Sequence, residues 1–181
     1  WASESTPAID VILRVMAAGT QISVEEYLHT VYRPDCDYVD GVVEERNLGE
    51  RDHSWIQGKL VAFFLSRFKQ SGIAAIPEWR FQTGPTRFRI PDVVVTRGKP
   101  DEQILTKPPL LCIEILSPED RFARTNLRIQ EYLDFGVPVV WLVDPAERRV
   151  WVYRKNGMEE ATGSVSLDGT DISMPFSEIF D

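Results

Sequence analysis

The sequence predicts an α/β fold in which a mixed central β-sheet is flanked by helices. Apolar runs of strand length alternate with segments of helical periodicity along its 181 residues. Between residues 110 and 143 the order is strand, helix, strand, which normally makes a parallel strand pair within one sheet. Apolar residues form 43% of the chain, enough for one compact core. We therefore expect a single domain over residues 1–181, with its core at about 20–157.

The first part of the chain predicts a short helix, a hairpin and a long helix. A capping-box pattern at residues 23–26 starts a helix that reaches about residue 32. Residues 38–43 predict a hairpin with Asp-Gly as its turn. Residues 52–71 repeat apolar side chains every four positions, and Gly72 follows as a helix stop.

The remaining elements are predicted from short apolar runs separated by turn residues. Strands are predicted at residues 73–76, 79–83, 87–89, 93–96, 110–116, 137–143 and 149–154. A second long helix covers about residues 121–135, and Gly136 ends it. The tail after Gly157 is weakly patterned and carries no prediction.

Two carboxylates lie within these strand-like segments. Glu114 is embedded in the apolar run at residues 110–116, and Asp92 follows a proline and opens the run at residues 93–95. A buried carboxylate is costly unless a cation, a proton or hydrogen-bond donors compensate it. Carboxylates on neighbouring strands can chelate a hard cation such as Mg²⁺ or Mn²⁺, so we predict a divalent-metal pair. Each carboxylate also has a purely structural explanation. Asp92 could cap a turn, and Glu114 could be buried in an ion pair with an arginine.

Composition constrains the partners and the cellular setting. The net charge of −8 argues against broad non-specific attraction to nucleic acid, but is compatible with a local basic groove or an acidic metal pocket. The two cysteines, Cys36 and Cys112, are far apart and suggest no disulfide framework, so we expect a reduced, cytoplasmic setting. The apolar stretch at residues 11–18 is too short for a signal peptide or a membrane span, and Arg14 interrupts it.

A series of motifs follows in order along the chain. These are Pro91-Asp92, Glu114 within Ile-Glu-Ile-Leu-Ser-Pro, Tyr132, and Gly-Val-Pro followed by Trp-Leu-Val-Asp-Pro at residues 136–145. Together they resemble the Uma-type putative restriction endonuclease family of bacteria, which belongs to the PD-(D/E)XK nuclease superfamily. The resemblance spans residues 38–153 and implies a restriction-endonuclease-like core. It also implies a metal-dependent endonuclease that hydrolyses DNA.

The same resemblance implies roles for individual residues. Asp92 and Glu114 would bind Mg²⁺ or Mn²⁺, polarise the scissile phosphate and generate the attacking hydroxide. The superfamily's lysine normally lies two residues after the Glu, where this chain has Leu116. The related family often displaces that lysine to the following helix, at the position of Arg128. A guanidinium stabilises charge but is a poor proton acceptor, so Arg128 is expected to stabilise charge.

Further site residues are implied on both sides of the carboxylates. Glu44 or Glu45 would supply the additional acidic residue that such nucleases often carry; the family often has a Glu directly after Asp-Gly, where this chain has Val42, so Glu45 is a weaker substitute. His53, at the start of the long helix, would contact substrate or a metal-bound water, although it also fits a histidine that hydrogen-bonds locally.

The second long helix carries a basic face. Arg121, Arg124 and Arg128 share that face next to Tyr132, and Phe122, Ile129 and Leu133 form the buried stripe. We expect Arg121, Arg124 and Tyr132 to bind the substrate. A stripe of arginines is also commonly a solvated helix face.

Three functions are consistent with this sequence. The first is a DNA endonuclease, expected to be a homodimer by analogy with nucleases that cut both strands. The second is a catalytically weakened metal- or nucleic-acid-binding module that retains the fold, suggested by Leu116, Arg128 and the acidic charge. The third is a structural domain whose two carboxylates are paired internally.

Overall fold

The computed structural model of the protein describes residues 21–46, 50–118, 120 and 122–181. The apolar stretch at residues 11–18 and the predicted substrate contact Arg121 lie outside the described residues. The helices are α1 (Val24–His29), α2 (Arg51–Ser71), α3 (Phe122–Phe135) and α4 (Phe176–Phe180). The strands are β1 (Cys36–Val39), β2 (Val42–Glu45), β3 (Ile73–Pro77), β4 (Phe81–Gly84), β5 (Arg87–Arg89), β6 (Val93–Arg97), β7 (Leu111–Ile115), β8 (Val140–Asp144), β9 (Arg149–Arg154), β10 (Gly157–Glu160), β11 (Ser164–Ser166) and β12 (Ser173–Pro175).

Within the described residues, the main sheet has six strands in the order β10-β9-β8-β7-β6-β3. Strands β7 and β8 are parallel and are joined by α3, as the strand, helix, strand order predicts. The other neighbours in this sheet are antiparallel. The predicted mixed central sheet is therefore confirmed, and Glu114 lies on an interior strand.

The two faces of this sheet are covered by different helices. Helix α2 packs on the face that carries Ile113 and Trp141. Helix α3 packs on the opposite face, which carries Cys112 and Leu142. Successive side chains of a strand point to opposite faces, so Glu114 points to the α3 side with Cys112.

Local signals in the sequence determine the start of α1 and the end of α2. The Ser23 hydroxyl caps α1 by accepting from the amide of Glu26 at 3.0 Å. Gly72 ends α2 in the left-handed conformation, at φ 66°, and its amide donates to Phe68. The prediction that Phe122 belongs to the buried stripe of α3 is wrong, because 65% of this residue is exposed. Phe122 opens α3, and the apolar contacts of the helix with the sheet begin about two turns later, at Ile129.

A second sheet, in the order β2-β1-β5-β4, lies beside α3. The predicted Asp-Gly turn joins β1 to β2, with Asp40 and Gly41 both at positive φ. Tyr27, Tyr38 and Phe88 form a small core that fixes α1 to this sheet. The arrangement places the end of β2 next to the C-terminal edge of β7, where the candidate site lies.

The tail after Gly157 belongs to the main core. Its buried side chains pack in the cluster that also contains α2. They are Val165, Leu167, Ile172, Met174 and Ile179. The core therefore extends beyond residue 157, the end that the sequence predicts. These residues alternate with polar ones in very short strands, which is too little pattern for recognition in a sequence.

Met174→Ala is expected to lower the free energy of unfolding by about 2–5 kcal/mol, because it leaves a cavity beneath α2. Met174 is fully buried, whereas 53% of Met158 is exposed. Met158→Ala is the matched control and should change the same quantity by less than about 0.5 kcal/mol. Chemical denaturation measures both. Equally small effects would show that Met174 contributes no more to the stability of the fold than an exposed methionine.

Cys36 and Cys112 are both buried free thiols. In the part of the chain that the structure describes, no helix is long and apolar enough to span a bilayer.

Candidate active site

A small pocket opens at the edge of the main sheet where β7 ends and β6 begins. Its volume is about 30 Å³. It is lined by the residues predicted as catalytic, Glu45, His53, Asp92, Glu114 and Arg128, and by Arg124. These residues come from the second sheet, two helices, strand β7 and the position directly before β6.

Asp92 is held by three donors at the start of β6. The Nη2 atom of Arg46 donates to Oδ1 at 2.6 Å, and the Ile115 amide donates to Oδ2 at 2.7 Å. The Nε2 atom of His53 lies 3.3 Å from Oδ2. Burial disfavours the charged carboxylate, but His53 and Arg46 outweigh it and lower the pKa of Asp92. Asp92 is therefore an anion at neutral pH.

Glu114 is held from the α3 side. Tyr132 donates its hydroxyl to Oε1 at 2.7 Å, and Arg128 donates Nη1 to Oε2 at 2.9 Å. Burial, with the charge of Asp92, raises the pKa of Glu114 to about 7 despite Arg128. Glu114 and Asp92 are thus two buried carboxylates whose charges oppose each other.

His53 approaches the pocket from the first turn of α2. Burial disfavours its imidazolium form, but the contact with Asp92 raises the pKa of His53. Its Nδ1 atom is buried and has no hydrogen-bond partner among the described residues. The histidine that the sequence singled out therefore contacts Asp92 through one ring nitrogen only.

Arg46 is a residue of the site that the sequence did not predict. It follows β2 directly, and only 13% of its side chain is exposed. Besides Asp92, its guanidinium lies near Glu78, with Nη1 3.7 Å from Oε1. The local sequence shows only an arginine after a hairpin strand. Its contact with Asp92 depends on the packing of the second sheet beside β6, which no spacing in the sequence reveals.

Four other predicted side chains lie at the pocket or contact the residues around it. Arg124 lies at the pocket and contacts Glu44 and the backbone carbonyl of Glu45, with about half of its side chain exposed. Glu45 lines the pocket, whereas Glu44 accepts from Arg89 at 3.0 Å. Tyr132 is fully buried beneath Glu114. In this structure Tyr132 therefore orients Glu114 and has no surface to present to a substrate.

The donor chemistry of the pocket fits a hard divalent cation. Asp92 and Glu114 provide carboxylate oxygens, the ligands that Mg²⁺ and Mn²⁺ prefer, and a cation between them would relieve their mutual repulsion. Among the described residues, however, no three His, Cys, Asp or Glu side chains form a ready-made metal cluster. Arg46 and Arg128 each neutralise one carboxylate. A metal ion must therefore compete with the two guanidinium groups.

The fold and the pocket define an α/β protein whose mixed sheet presents two buried carboxylates at one edge. The chain belongs to the Uma2 family, described as "Putative restriction endonuclease", whose model matches residues 24–177. It is also similar to a crystal structure from Anabaena variabilis ATCC 29413, described as a putative nuclease belonging to DUF820. The identity is 25% and the TM-score 0.76, over 88% of this chain and 97% of that chain. No curated protein matches. The predicted family and fold class are confirmed.

Proposed function

We propose that the protein is a metal-dependent endonuclease that hydrolyses DNA phosphodiester bonds. The family and the similar crystal structure both carry nuclease descriptions, which supports a nuclease. One observation carries the proposal further: buried Asp92 and Glu114, from adjacent strands, line one small pocket together with cationic side chains. Buried charges arranged in this way are typical of functional sites.

Asp92 and Glu114 would hold Mg²⁺ or Mn²⁺ in this pocket. When bound, such a cation polarises a phosphoryl oxygen and lowers the pKa of water. The Ile115 amide and the Tyr132 hydroxyl keep the two carboxylates oriented, as outer hydrogen bonds do in metal sites. The ligand geometry would thus be set before the metal arrives.

The cationic residues suit a phosphodiester substrate. Arg124 is half exposed beside the pocket and can donate to a phosphate of the DNA backbone. Arg128 is nearly buried and would stabilise negative charge on the reacting phosphate. Glu45 and His53 would assist proton movement at the pocket, and Arg121 remains a predicted substrate contact. Cutting both strands would use two such sites, so we propose a homodimer.

A second candidate is a catalytically weakened binding module that retains the nuclease fold. Leu116 and Arg128 stand where the related nucleases carry lysine, and both carboxylates are neutralised by arginines. Such a module would bind Mn²⁺ or nucleic acid without cleaving it. The third possibility, a purely structural carboxylate pair, requires that no divalent cation binds the pocket.

A cleavage assay with a matched variant distinguishes these candidates. We expect Mn²⁺ or Mg²⁺ to support nicking of supercoiled DNA and cutting of linear DNA, and chelator to stop both. Glu114→Gln keeps the shape of the side chain but removes its charge, and should abolish cleavage together with calorimetric Mn²⁺ binding. Mn²⁺ binding without cleavage would favour the weakened module. Absence of cleavage, with no Mn²⁺ binding even in the presence of DNA, would favour the structural pair. RNA of the same sequence tests the choice of substrate.

A further inference from the structure

We infer that Arg46 is an internal counter-cation that weakens divalent-metal binding at Asp92 and Glu114 until it is displaced. The inference rests on the proposed function, because it concerns the same two carboxylates. Arg46 would thereby set the affinity of the pocket for a divalent metal ion.

The position of Arg46 is that of a competitor for the metal. Its guanidinium donates to Oδ1 of Asp92 at 2.6 Å, with only 13% of the arginine side chain exposed. The other oxygen, Oδ2, already accepts from the Ile115 amide and lies against His53. Oδ1 is therefore the oxygen left for a metal ion, and Arg46 holds it.

The charges of the pocket lead to the same conclusion. When both carboxylates are ionised, the guanidiniums of Arg46 and Arg128 cancel their charge. A divalent cation that binds Asp92 and Glu114 meets these two guanidiniums at short range, in a buried site where Coulomb repulsion is only partly screened. Removing one guanidinium, or adding a phosphodiester anion, reduces that repulsion. Metal binding should therefore be weak alone and should strengthen with the substrate phosphate.

The structure also provides a second partner for Arg46 when it leaves Asp92. Glu78 lies beside the guanidinium, 3.7 Å from Nη1, and 51% of its side chain is exposed. A small movement toward Glu78 would free Oδ1 without leaving the arginine unpaired. Arg128, by contrast, lies against Glu114 above the fully buried Tyr132. We therefore assign the control of metal affinity to Arg46 rather than to Arg128.

Calorimetric titration of the chelator-treated protein with Mn²⁺ alone tests the inference. Arg46→Gln should bind Mn²⁺ at least about tenfold more tightly than the parent. Arg46→Lys keeps the positive charge and should stay near the parent affinity. The control Arg154→Gln removes an arginine that pairs with Asp168 and Glu159, away from the pocket, and should leave the affinity unchanged.

A melting experiment gives a second readout that is independent of activity. Without metal, Arg46→Gln should melt below the parent because Asp92 has lost a counter-ion. Added Mn²⁺ should then raise the melting temperature of the variant more than that of the parent. If Arg46→Gln does not fold, Arg46→Met, which retains an unbranched apolar side chain, takes its place in both measurements.

The outcomes separate this inference from the proposed function. Tighter Mn²⁺ binding by the neutral variant supports the inference, even if binding by the parent is too weak to detect. Equal affinities in parent and neutral variant would show that Arg46 does not compete, while leaving the metal site intact. If neither protein binds Mn²⁺, the metal site fails, and the proposed metal-dependent function fails with it.

Discussion

Asp92→Asn is expected to abolish metal-dependent DNA cleavage and to destabilise the folded protein. Asparagine retains the shape of the side chain but replaces an anionic oxygen with an amide, which cannot ligate a hard cation in the same way. Loss of several kcal/mol of transition-state stabilisation corresponds to a decrease in rate of about a thousandfold or more. A nicking assay at saturating Mn²⁺ measures this loss.

The stability effect has a separate cause. Asp92 is the counter-ion of Arg46 and contacts His53, and all three side chains are at least largely buried. Removing the charge of Asp92 leaves the buried guanidinium of Arg46 with only the more distant, half-exposed Glu78 as a counter-ion, which costs up to about 3–5 kcal/mol. Chemical denaturation without metal measures this cost.

Asp168→Asn provides the control for both measurements. Asp168 also pairs with an arginine, Arg154, but 41% of its side chain is exposed. Its neutral variant should keep full cleavage activity and lose no more than about 1 kcal/mol of stability. If Asp92→Asn cleaves DNA at the parent rate, Asp92 is not a metal ligand in the reaction. If it is as stable as the control, the ion pair with Arg46 is not a significant part of the folded state.

The elements of the fold could be predicted where local signals are strong. Helix α2 combines a four-residue apolar repeat with a glycine stop, and the parallel pair of β7 and β8 follows from the crossover rule. The alternation of side chains along β7 places Glu114 on the face opposite Ile113. The tail could not be predicted, because its very short strands acquire their burial only from packing against α2.

The site was predictable to the extent that its residues break a local pattern. A carboxylate within an apolar strand is conspicuous, so Asp92 and Glu114 stand out in the amino-acid sequence alone. Arg46 does not, since an arginine after a hairpin strand is unremarkable until the second sheet places it beside β6. The burial of Tyr132 is likewise a consequence of how α3 packs on the main sheet.

A second group of buried charges connects α3 to the second sheet through Arg89. Its guanidinium donates to Glu131 from Nη2 at 2.7 Å and from Nε at 3.1 Å. Its Nη1 atom donates to Asp37 at 3.1 Å and to Glu44 at 3.0 Å. Only 9% of the Arg89 side chain is exposed. One arginine thus compensates three carboxylates from three elements, one of them on the helix that carries Arg128.

Arg89→Met is therefore expected to lower the free energy of unfolding at pH 7 by about 3–5 kcal/mol. Methionine fills much of the same space, so the loss comes mainly from Asp37 and Glu131, which are left as buried anions without their cation. Denaturant titration of parent and variant measures the difference. Arg154→Met is the control, because its partners are mostly solvated, and it should cost no more than about 1 kcal/mol.

The pH dependence distinguishes lost charge compensation from lost packing. Burial opposes the ionisation of Glu131, but Arg89 outweighs burial and holds the pKa of Glu131 below its usual range. A carboxyl group with a lowered pKa in the folded state contributes stability above its unfolded pKa of about 4.3, and that contribution is lost as pH falls through the folded pKa. The difference between parent and Arg89→Met should therefore be full at pH 7 and shrink below about pH 4. A difference that stays constant over this range would assign the effect to packing, and Arg89 would not be the electrostatic connection between α3 and the second sheet.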